Sequence, residues 1–458
     1  MTALEQYLES IRGKRIAVIG AGVSNTPLIA LLRTAGLPVT VHDKKDTEAL
    51  GARYTELAGL GVSFALGQDY LDYLDEDIIF RTPGLYPEHP ALREVRARGG
   101  VVTSEMELFF AVCPCPIVAV TGSDGKTTTT TLVYEFLKHA GHTCHLGGNI
   151  GKPLLPEVDS IQPDDIAVVE LSSFQLMGMQ CSPAVSAITN LTPNHLDYHK
   201  DFAEYVQAKT AIYTHQTQGS RIVINLDDEV TQSLTLNPNC EVWGCTKNDI
   251  PQTGVYLQDN VIYIVQNGLS RALMSADHIR IPGAHNVSNV MMAAAIVQGY
   301  CTDRDIIEVA HTFGGVEHRI EFVREFEGVK YYNDSIASSP TRTIAGLLSF
   351  PQKVILIAGG YDKHIPYDVL GEPICQHVSK LILTGATAVK IRACVEECSN
   401  PIKPDIIDTP NLSAAVRAAY SVAQPGEIVI LSPASASFDC FKNFMERGNA
   451  FKEFVNAL

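Results

Sequence analysis

Short apolar runs alternate with helix-length amphipathic segments along almost the whole chain, a pattern that predicts an α/β protein with largely parallel sheets. The runs fall into three sets. The first holds "RIAVIG" (15–20), "VTVHD" (39–43), "VSFALG" (62–67) and "DIIFRT" (77–82). The second holds "PIVAVTG" (116–122), "DIAVVELSS" (165–173), "SAITNL" (186–191) and "RIVINLDD" (221–228). The third holds "KVILIAGG" (353–360), "KLILTGA" (380–386), "DIIDT" (405–409) and "EIVILSP" (427–433). Between the second and third sets, "GVYLQDNVIYIV" predicts a hairpin turning at Asp259-Asn260. Each set can build one doubly wound sheet, so three domains are expected, at 1–104, 105–314 and 315–458.

A length of 458 residues agrees with about three domains. With 46% hydrophobic and 19% charged residues, the composition is that of a globular enzyme. A net charge of −16 argues against a nucleic-acid partner, which calls for a basic face, yet leaves room for a local basic pocket. No apolar run is long enough for membrane insertion, and the polar start "MTALEQYLESIRGKR" has no signal-peptide core, so a cytoplasmic protein is expected. Eleven cysteines, without the paired CxxC spacing of a zinc site, read as reduced and mostly buried thiols.

After the first strand comes "GAGVSN" (20–25), and Asp43 ends the next strand. This is most of a dinucleotide fingerprint, with Asn25 where the third glycine belongs and Pro27 in the first helical turn. NAD, another nucleoside diphosphate, or a purely structural glycine turn all fit these residues. "TPG" (Thr82–Gly84) brings a second loop to the same sheet edge.

The second set opens on "VTGSDGKTTTTTLVYEFL" (120–137). Only Ser123 and Asp124 separate Gly122 from Gly125, so the loop is shorter than the standard Walker A pattern. Strand, glycine loop, Lys126-Thr127 and helix nevertheless supply what a nucleotide phosphate needs: backbone N–H groups, a cation, a hydroxyl for Mg²⁺ and a favourable helix dipole. Glu170, ending the strand "DIAVVE", stands where a metal-binding acid is expected. His195, just past the next strand, would by itself read as an ordinary loop histidine, because Mg²⁺ prefers oxygen ligands.

Eight motifs then occur in order: "TGSDGKTT", "GGNIG" (147–151), "ELSSFQL" (170–176), "NHLDYH" (194–199), "AKTAIY" (208–213), "PGAHNVSN" (282–289), "HRIE" (318–321) and "NDSIASSP" (333–340). Together they resemble the Mur ligases, ATP-dependent amino-acid ligases of bacterial wall precursor synthesis, whose phosphate loop has this short form. "ELSSFQL", "NDSIASSP", "GGYDKHIPYD" and "LSPASASFDCFKNFMERG" are most similar to the branch that joins D-glutamate to UDP-N-acetylmuramoyl-L-alanine. The "DNPR"-like acceptor motif of the diaminopimelate- and lysine-adding branches does not occur, and Asp124 stands where the alanine-adding branch usually has His. The resemblance implies a Rossmann-like N-terminal sheet, a central P-loop ATPase-like α/β domain and a Rossmann-like C-terminal α/β domain.

The resemblance also implies an acyl-phosphate mechanism, two Mg²⁺ ions, a monomer and the following roles. Gly122, Ser123, Asp124, Gly125, Lys126, Thr127 and Thr128 would cradle ATP; Asn286 and Asn289 would contact adenine, Arg319 the phosphates and Asp334 the ribose. Thr127, Glu170, His195 and Lys209 would serve the metals, Lys209 as a carbamate formed with CO₂. Without the resemblance, Lys209 reads as a surface lysine on a helix over 201–215, and Asn286 as a helix N-cap. Val23, Ser24, Asp43, Lys44, Lys45, Thr82, Gly84 and Asn149 would bind the UDP precursor, with "DKK" in place of a more usual "DTR". Ser338, Lys363, Ser437 and the backbone at Phe444 would bind D-glutamate. Ile336 departs from relatives that have lysine there, so a cation is missing or comes from elsewhere.

Overall fold

The computed structural model describes residues 1–196, 198–363 and 365–458. Asp197 of "NHLDYH" and His364 of "GGYDKHIPYD" lie outside the described residues.

Three sheets form, and each of the twelve apolar runs supplies one of their strands. The first comprises β1 (Ile16–Ile19), β2 (Val39–Asp43), β3 (Ser63–Leu66), β4 (Ile78–Phe80) and β5 (Val101–Thr103), in the order β3-β2-β1-β4-β5. All its neighbours are parallel. Strand order reverses between β1 and β4, so the loops at Gly20 and at Thr82–Gly84 leave adjacent strand ends, where open sheets bind ligands.

The second sheet comprises β6 (Ile117–Thr121), β7 (Cys144–Gly148), β8 (Ile166–Glu170), β9 (Val185–Ile188), β10 (Arg221–Asn225), β11 (Glu241–Thr246), β12 (Gly254–Gln258), β13 (Val261–Gln266) and β14 (Leu269–Ser275). Its order is β14-β13-β12-β11-β10-β9-β6-β8-β7. The expected hairpin is β12–β13, and Asp259 and Asn260 take φ of 49° and 61°, as a two-residue turn of this hand requires. The third sheet comprises β15 (Glu321–Phe326), β16 (Val329–Asn333), β17 (Val354–Ala358), β18 (Val378–Leu383), β19 (Asp405–Asp408) and β20 (Ile428–Leu431), in the order β15-β16-β20-β17-β18-β19.

Strands without a clean apolar run escape sequence reading. β7 is "CHLGG", β5 has three residues, and β15 carries three charges among its six residues. The chain forms two compact units: Met1–Ala276 with Ser288–Val309, and Asp277–Val287 with Ala310–Leu458. The first two sheets share the first unit because one apolar core runs through both. Leu4 and Ile11 of the N-terminal segment, Met106 and Phe109 of helix Glu105–Val112, and Leu155 and Val158 join that core.

Among the described residues, no helix is long and apolar enough to cross a membrane. All eleven cysteines are free, but only Cys115, Cys245 and Cys375 are fully buried, fewer than expected. Most of the others sit on partly covered helix and loop positions, and Cys440 is exposed.

Glu105 begins a helix whose other buried positions are apolar, and its Oε1 has no partner among the described residues. Burial raises its carboxyl to about 7. The native state therefore holds a proton that the unfolded chain releases near 4.5, so this group favours folding below that pH and the benefit is lost as pH rises through about 7. Relative to Glu105→Gln, the parent should lose on the order of 3 kcal/mol between pH 4.5 and 7.5, at 1.36 kcal/mol per unit. Urea unfolding of both proteins at the two pH values checks this; a constant difference between them would show a normally ionising carboxyl.

Candidate active site

The phosphate loop leaves β6 between β8 and β9, with Val120 registered beside Glu170 and Thr121 beside Ile188. Two glycines permit its path. Gly122 has φ 148°, and a Cβ there would lie 1.9 Å from Thr189 Oγ1. Gly125 has φ 77°, and a Cβ there would lie 2.4 Å from Asn289 Oδ1. Any side chain at either position would displace the loop.

The loop is braced from β9 and beyond. The Ser123 and Asp124 N–H groups donate to the Asn190 carbonyl and Asn190 Oδ1, each at 2.9 Å. The Thr189 hydroxyl donates to the Asp124 carbonyl at 2.5 Å. Ser123 Oγ lies 2.8 Å from the Tyr205 hydroxyl and donates to Thr192 O at 2.9 Å. Lys126 and Thr127 open helix Lys126–His139 and are half-buried, Thr128 is buried, and the Lys126 ammonium donates to Ser123 O at 2.8 Å. Sequence reading missed Thr189, Asn190 and Tyr205; the polar "TN" ending an apolar strand beside the loop was the available signal.

Glu170 is 1% exposed. Asn149 of the glycine-rich turn donates Nδ2 to Glu170 Oε1 at 2.7 Å and its backbone N–H to the Glu170 carbonyl at 2.8 Å. Glu170 Oε2 has no hydrogen-bond partner among the described residues. A buried carboxylate oxygen cannot stay unpaired without cost, so this atom suits a hard divalent cation. No group of three or more His, Cys, Asp or Glu is assembled for a metal among the described residues. Mg²⁺ needs no such group, because it fills its shell with water and substrate oxygens around one or two carboxylates. His195 lies on the loop after β9 with φ 53°, its ring edge-on to Phe174 at 4.9 Å.

Lys209 lies on helix Phe202–Thr214 and is 2% exposed, which rules out a surface role. Its ammonium donates to Gly122 O at 2.8 Å and Thr121 Oγ1 at 3.1 Å and lies over the Tyr205 ring. Burial holds its pKa well below the ordinary lysine range, and the nearby Lys126 charge pushes the same way against Glu170 and Asp124.

Asn289 and Asn286 are both buried on helix Ala284–Ile296. Asn289 Oδ1 accepts from Thr129 Oγ1 at 3.3 Å, so it braces the start of the phosphate-loop helix. Asn286 lies inside its helix, not at the cap, and donates Nδ2 back to Pro282 O at 2.5 Å.

At the first sheet, Asp43 accepts from the Ala21 N–H at 2.8 Å and the Lys45 N–H at 2.9 Å, which shapes the turn after β1. Val23, Lys44, Lys45 and Gly84 are exposed; Ser24 and Thr82 are half-buried, and a Cβ on Gly20 would lie 3.1 Å from Thr82 Cβ. Asn25, in place of the third glycine, donates Nδ2 to Ile19 O at 2.8 Å and so ties the helix start to β1.

In the second unit, Asp334 is buried with its oxygens bonded by Ser432 Oγ at 2.7 Å and the Ile320 N–H at 3.3 Å. Burial raises it to about 7, opposed by those bonds and by the charges of the half-buried Arg319 and of Arg342. Arg342 Nη1 also donates to Ile336 O at 3.3 Å, so a cation does stand beside the position where relatives have lysine. Ser437 is buried, Ser338 half-buried and Lys363 exposed over the Phe438 ring; Phe444 begins the last helix and its carbonyl accepts from Ser335 Oγ at 2.8 Å. A hollow of about 330 Å³ at the carboxyl ends of β17 and β18 is lined by Gly360, Gly385, Asp439 and Arg447 and by none of those four.

The family model for the Mur ligase middle domain matches residues 120–297, and that for the Mur ligase, glutamate ligase domain matches residues 318–435. The chain is 48% identical to the UDP-N-acetylmuramoylalanine--D-glutamate ligase of Acetivibrio thermocellus, covering 100% of this chain and 99% of the relative. The enzyme of the same name from Ruminiclostridium cellulolyticum is also 48% identical, over 99% of each chain. A crystal structure of a UDP-N-acetylmuramate-alanine ligase from Thermotoga maritima shares the fold with a TM-score of 0.57 at 18% identity, covering 97% of this chain and 99% of that one.

Proposed function

The chain belongs to the Mur ligase family, and from that premise we infer that it joins D-glutamate to UDP-N-acetylmuramoyl-L-alanine at the expense of ATP, in peptidoglycan precursor synthesis. The observation that carries the chemistry is the buried Glu170 oxygen, without a hydrogen-bond partner among the described residues, beside a braced phosphate loop. A loop alone binds phosphate; a loop with a metal-ready acid can activate a carboxylate against ATP.

The central difficulty is bringing two anions together. Lys126 is the cation for the β- and γ-phosphates, and Gly122 to Thr128 supply N–H groups at a helix N-terminus. Mg²⁺, when bound, neutralises phosphate charge and polarises the phosphorus under attack; Thr127, Glu170 and His195 would hold it. The precursor carboxylate takes the γ-phosphoryl group to form an acyl phosphate and ADP. The D-glutamate amine then attacks that carbonyl, and phosphate leaves through a tetrahedral intermediate. Asn149 orients Glu170 and stands near the reacting carboxylate.

As a neutral amine, Lys209 can take up CO₂ with loss of a proton, and the resulting carbamate anion would help hold a second Mg²⁺. Its burial and lowered pKa support this, because only the unprotonated amine is nucleophilic. The loops at Gly20–Ser24, Asp43–Lys45 and Thr82–Gly84 receive the UDP moiety. Asn286, Asn289, Arg319 and Asp334 serve ATP, and Ser338, Lys363, Ser437 and Phe444 receive D-glutamate. Three functional lobes, 1–104, 105–314 and 315–458, divide this work in a cytoplasmic monomer.

A coupled phosphate-release assay with UDP-N-acetylmuramoyl-L-alanine and ATP tests the acceptor. Release is expected with D-glutamate, and little with L-glutamate, L-alanine or diaminopimelate. Preference for any of those three would overturn the acceptor and leave the ligase chemistry standing.

A further inference from the structure

Arg81 is 3% exposed, in the first loop after β4, and no carboxylate is bonded to it among the described residues. Its guanidinium is spent on backbone carbonyls from two separate loops. Nη1 donates to Thr82 O and Pro83 O at 3.4 Å and to Leu85 O at 3.3 Å, within the "TPG" loop of the first sheet. Nη2 donates to Met177 O at 2.5 Å and Phe174 O at 3.4 Å, in the turn that follows Glu170 at the end of β8. Burying a guanidinium is costly, and burial does lower its pKa, so a cation kept here needs a reason beyond filling space. Arginine has the planar five-donor fork to hold two loops at once; lysine and apolar residues do not.

The second loop leads to the metal side of the site. Phe174 touches the His195 ring at 4.9 Å and the Tyr198 ring at 4.5 Å, both edge-on, and stacks on His199 at 5.8 Å. Tyr198 closes the circuit, because its hydroxyl donates to Pro83 O at 3.2 Å. A second tie runs alongside, from the Tyr86 hydroxyl to Glu204 at 2.5 Å. Arg81, Pro83, Tyr198 and Phe174 thus form a closed ring of contacts joining a loop at the edge of the first sheet to the loop that bears His195.

We propose that Arg81 is a positioning residue that couples the two substrate sites: it locks the precursor loop to the Phe174 turn, so that binding of the UDP precursor holds His195 ready for the nucleotide-bound metal. This rests on the functional reading above for the identity of the two ligands. The coupling is a linkage free energy and is therefore reciprocal: Mg²⁺ with a non-hydrolysable ATP analogue should tighten precursor binding by the same factor that the precursor tightens the analogue.

Calorimetric titration of UDP-N-acetylmuramoyl-L-alanine, with and without the analogue and Mg²⁺, measures that factor. For the parent protein a factor of about 5 or more is expected, the lower end of typical coupling. In Arg81→Met it should fall to about 1 while each ligand alone binds within roughly threefold of the parent, and kcat should drop about tenfold or more with KM for ATP little changed. Arg81→Lys should restore part of the coupling, since lysine keeps the charge and reaches some of the carbonyls. Tyr198→Phe removes one bond of the ring and should weaken coupling in the same direction, which keeps the test decisive if Arg81→Met does not fold.

Unchanged coupling in Arg81→Met, or in Tyr198→Phe where Arg81→Met does not fold, would overturn the proposal, as would equal loss of both single-ligand affinities together with a lowered Tm, and either would leave Arg81 a structural brace. A parent protein that shows no coupling would overturn it as well. Failure of the functional reading would look different, because the parent would then release no phosphate with D-glutamate.

Discussion

Lys209→Ala should lose activity by about 10²-fold or more, and millimolar acetate or another short carboxylate should restore part of it. The expectation follows from where the amine sits. It is sealed from solvent, its partners are a hydroxyl and a carbonyl, and the Lys126 cation lies close enough to disfavour a second charge. A lysine kept there as a cation would repel Lys126 and any metal ion bound at Glu170. Converted to the proposed carbamate, the same side chain would be an anion able to support a metal ion. Removing it leaves a slot for a small carboxylate, which is why exogenous acetate should act in the mutant and not in the parent. Lys209→Met serves as a control for folding, since it fills the space without a buried charge and should keep the Tm or raise it. Phosphate-release rates across an acetate series check the prediction. Full activity in Lys209→Ala would sink the carbamate, and loss without rescue in a protein of unchanged Tm would confine Lys209 to bracing the Gly122 carbonyl.

Lys126→Ala should lower kcat by roughly 10³-fold, the scale of removing a preorganised charge from a transition state. Lys126 opens the helix that follows Gly125, and its ammonium rests on the Ser123 carbonyl of its own loop. The helix N-terminus and the loop N–H groups remain in the mutant, so nucleotide should still bind, with KM for ATP raised far less than kcat falls. Lys126→Arg should recover little, because a planar fork cannot occupy the compact position of an ammonium in so short a loop. Steady-state kinetics against ATP, with nucleotide affinity measured separately, distinguish this from loss of binding. Equal changes in kcat and in nucleotide affinity would show that the lysine binds ATP without favouring transfer.

The two residues were unequally legible. Lys126 announces itself locally, since strand, glycine loop, lysine and helix are contiguous in "VTGSDGKT". Lys209 gives no such signal: by itself it reads as a surface lysine on a helix, and only the "AKTAIY" resemblance singled it out. Asn149 was legible as part of a motif, but its grip on Glu170 Oε1 was not, because the contact forms only when β7 pairs with β8. Arg81 had no signal at all, since all its partners are backbone carbonyls, two of them nearly a hundred residues away, and carbonyls carry no sequence identity.

By itself, the sequence determined the strands with uninterrupted apolar runs, the hairpin at Asp259-Asn260, the phosphate loop and the order of the family motifs. These rest on short-range physics: side-chain periodicity, turn residues with positive φ, and glycines where the backbone must approach a ligand. Only the tertiary structure decided that Glu170 keeps one oxygen unpaired among the described residues, that Lys209 is buried, and that one core and Arg81 make the first two sheets a single unit. Those properties depend on which strand ends become neighbours, and desolvation is set by everything packed around a group, not by the residues beside it in the chain.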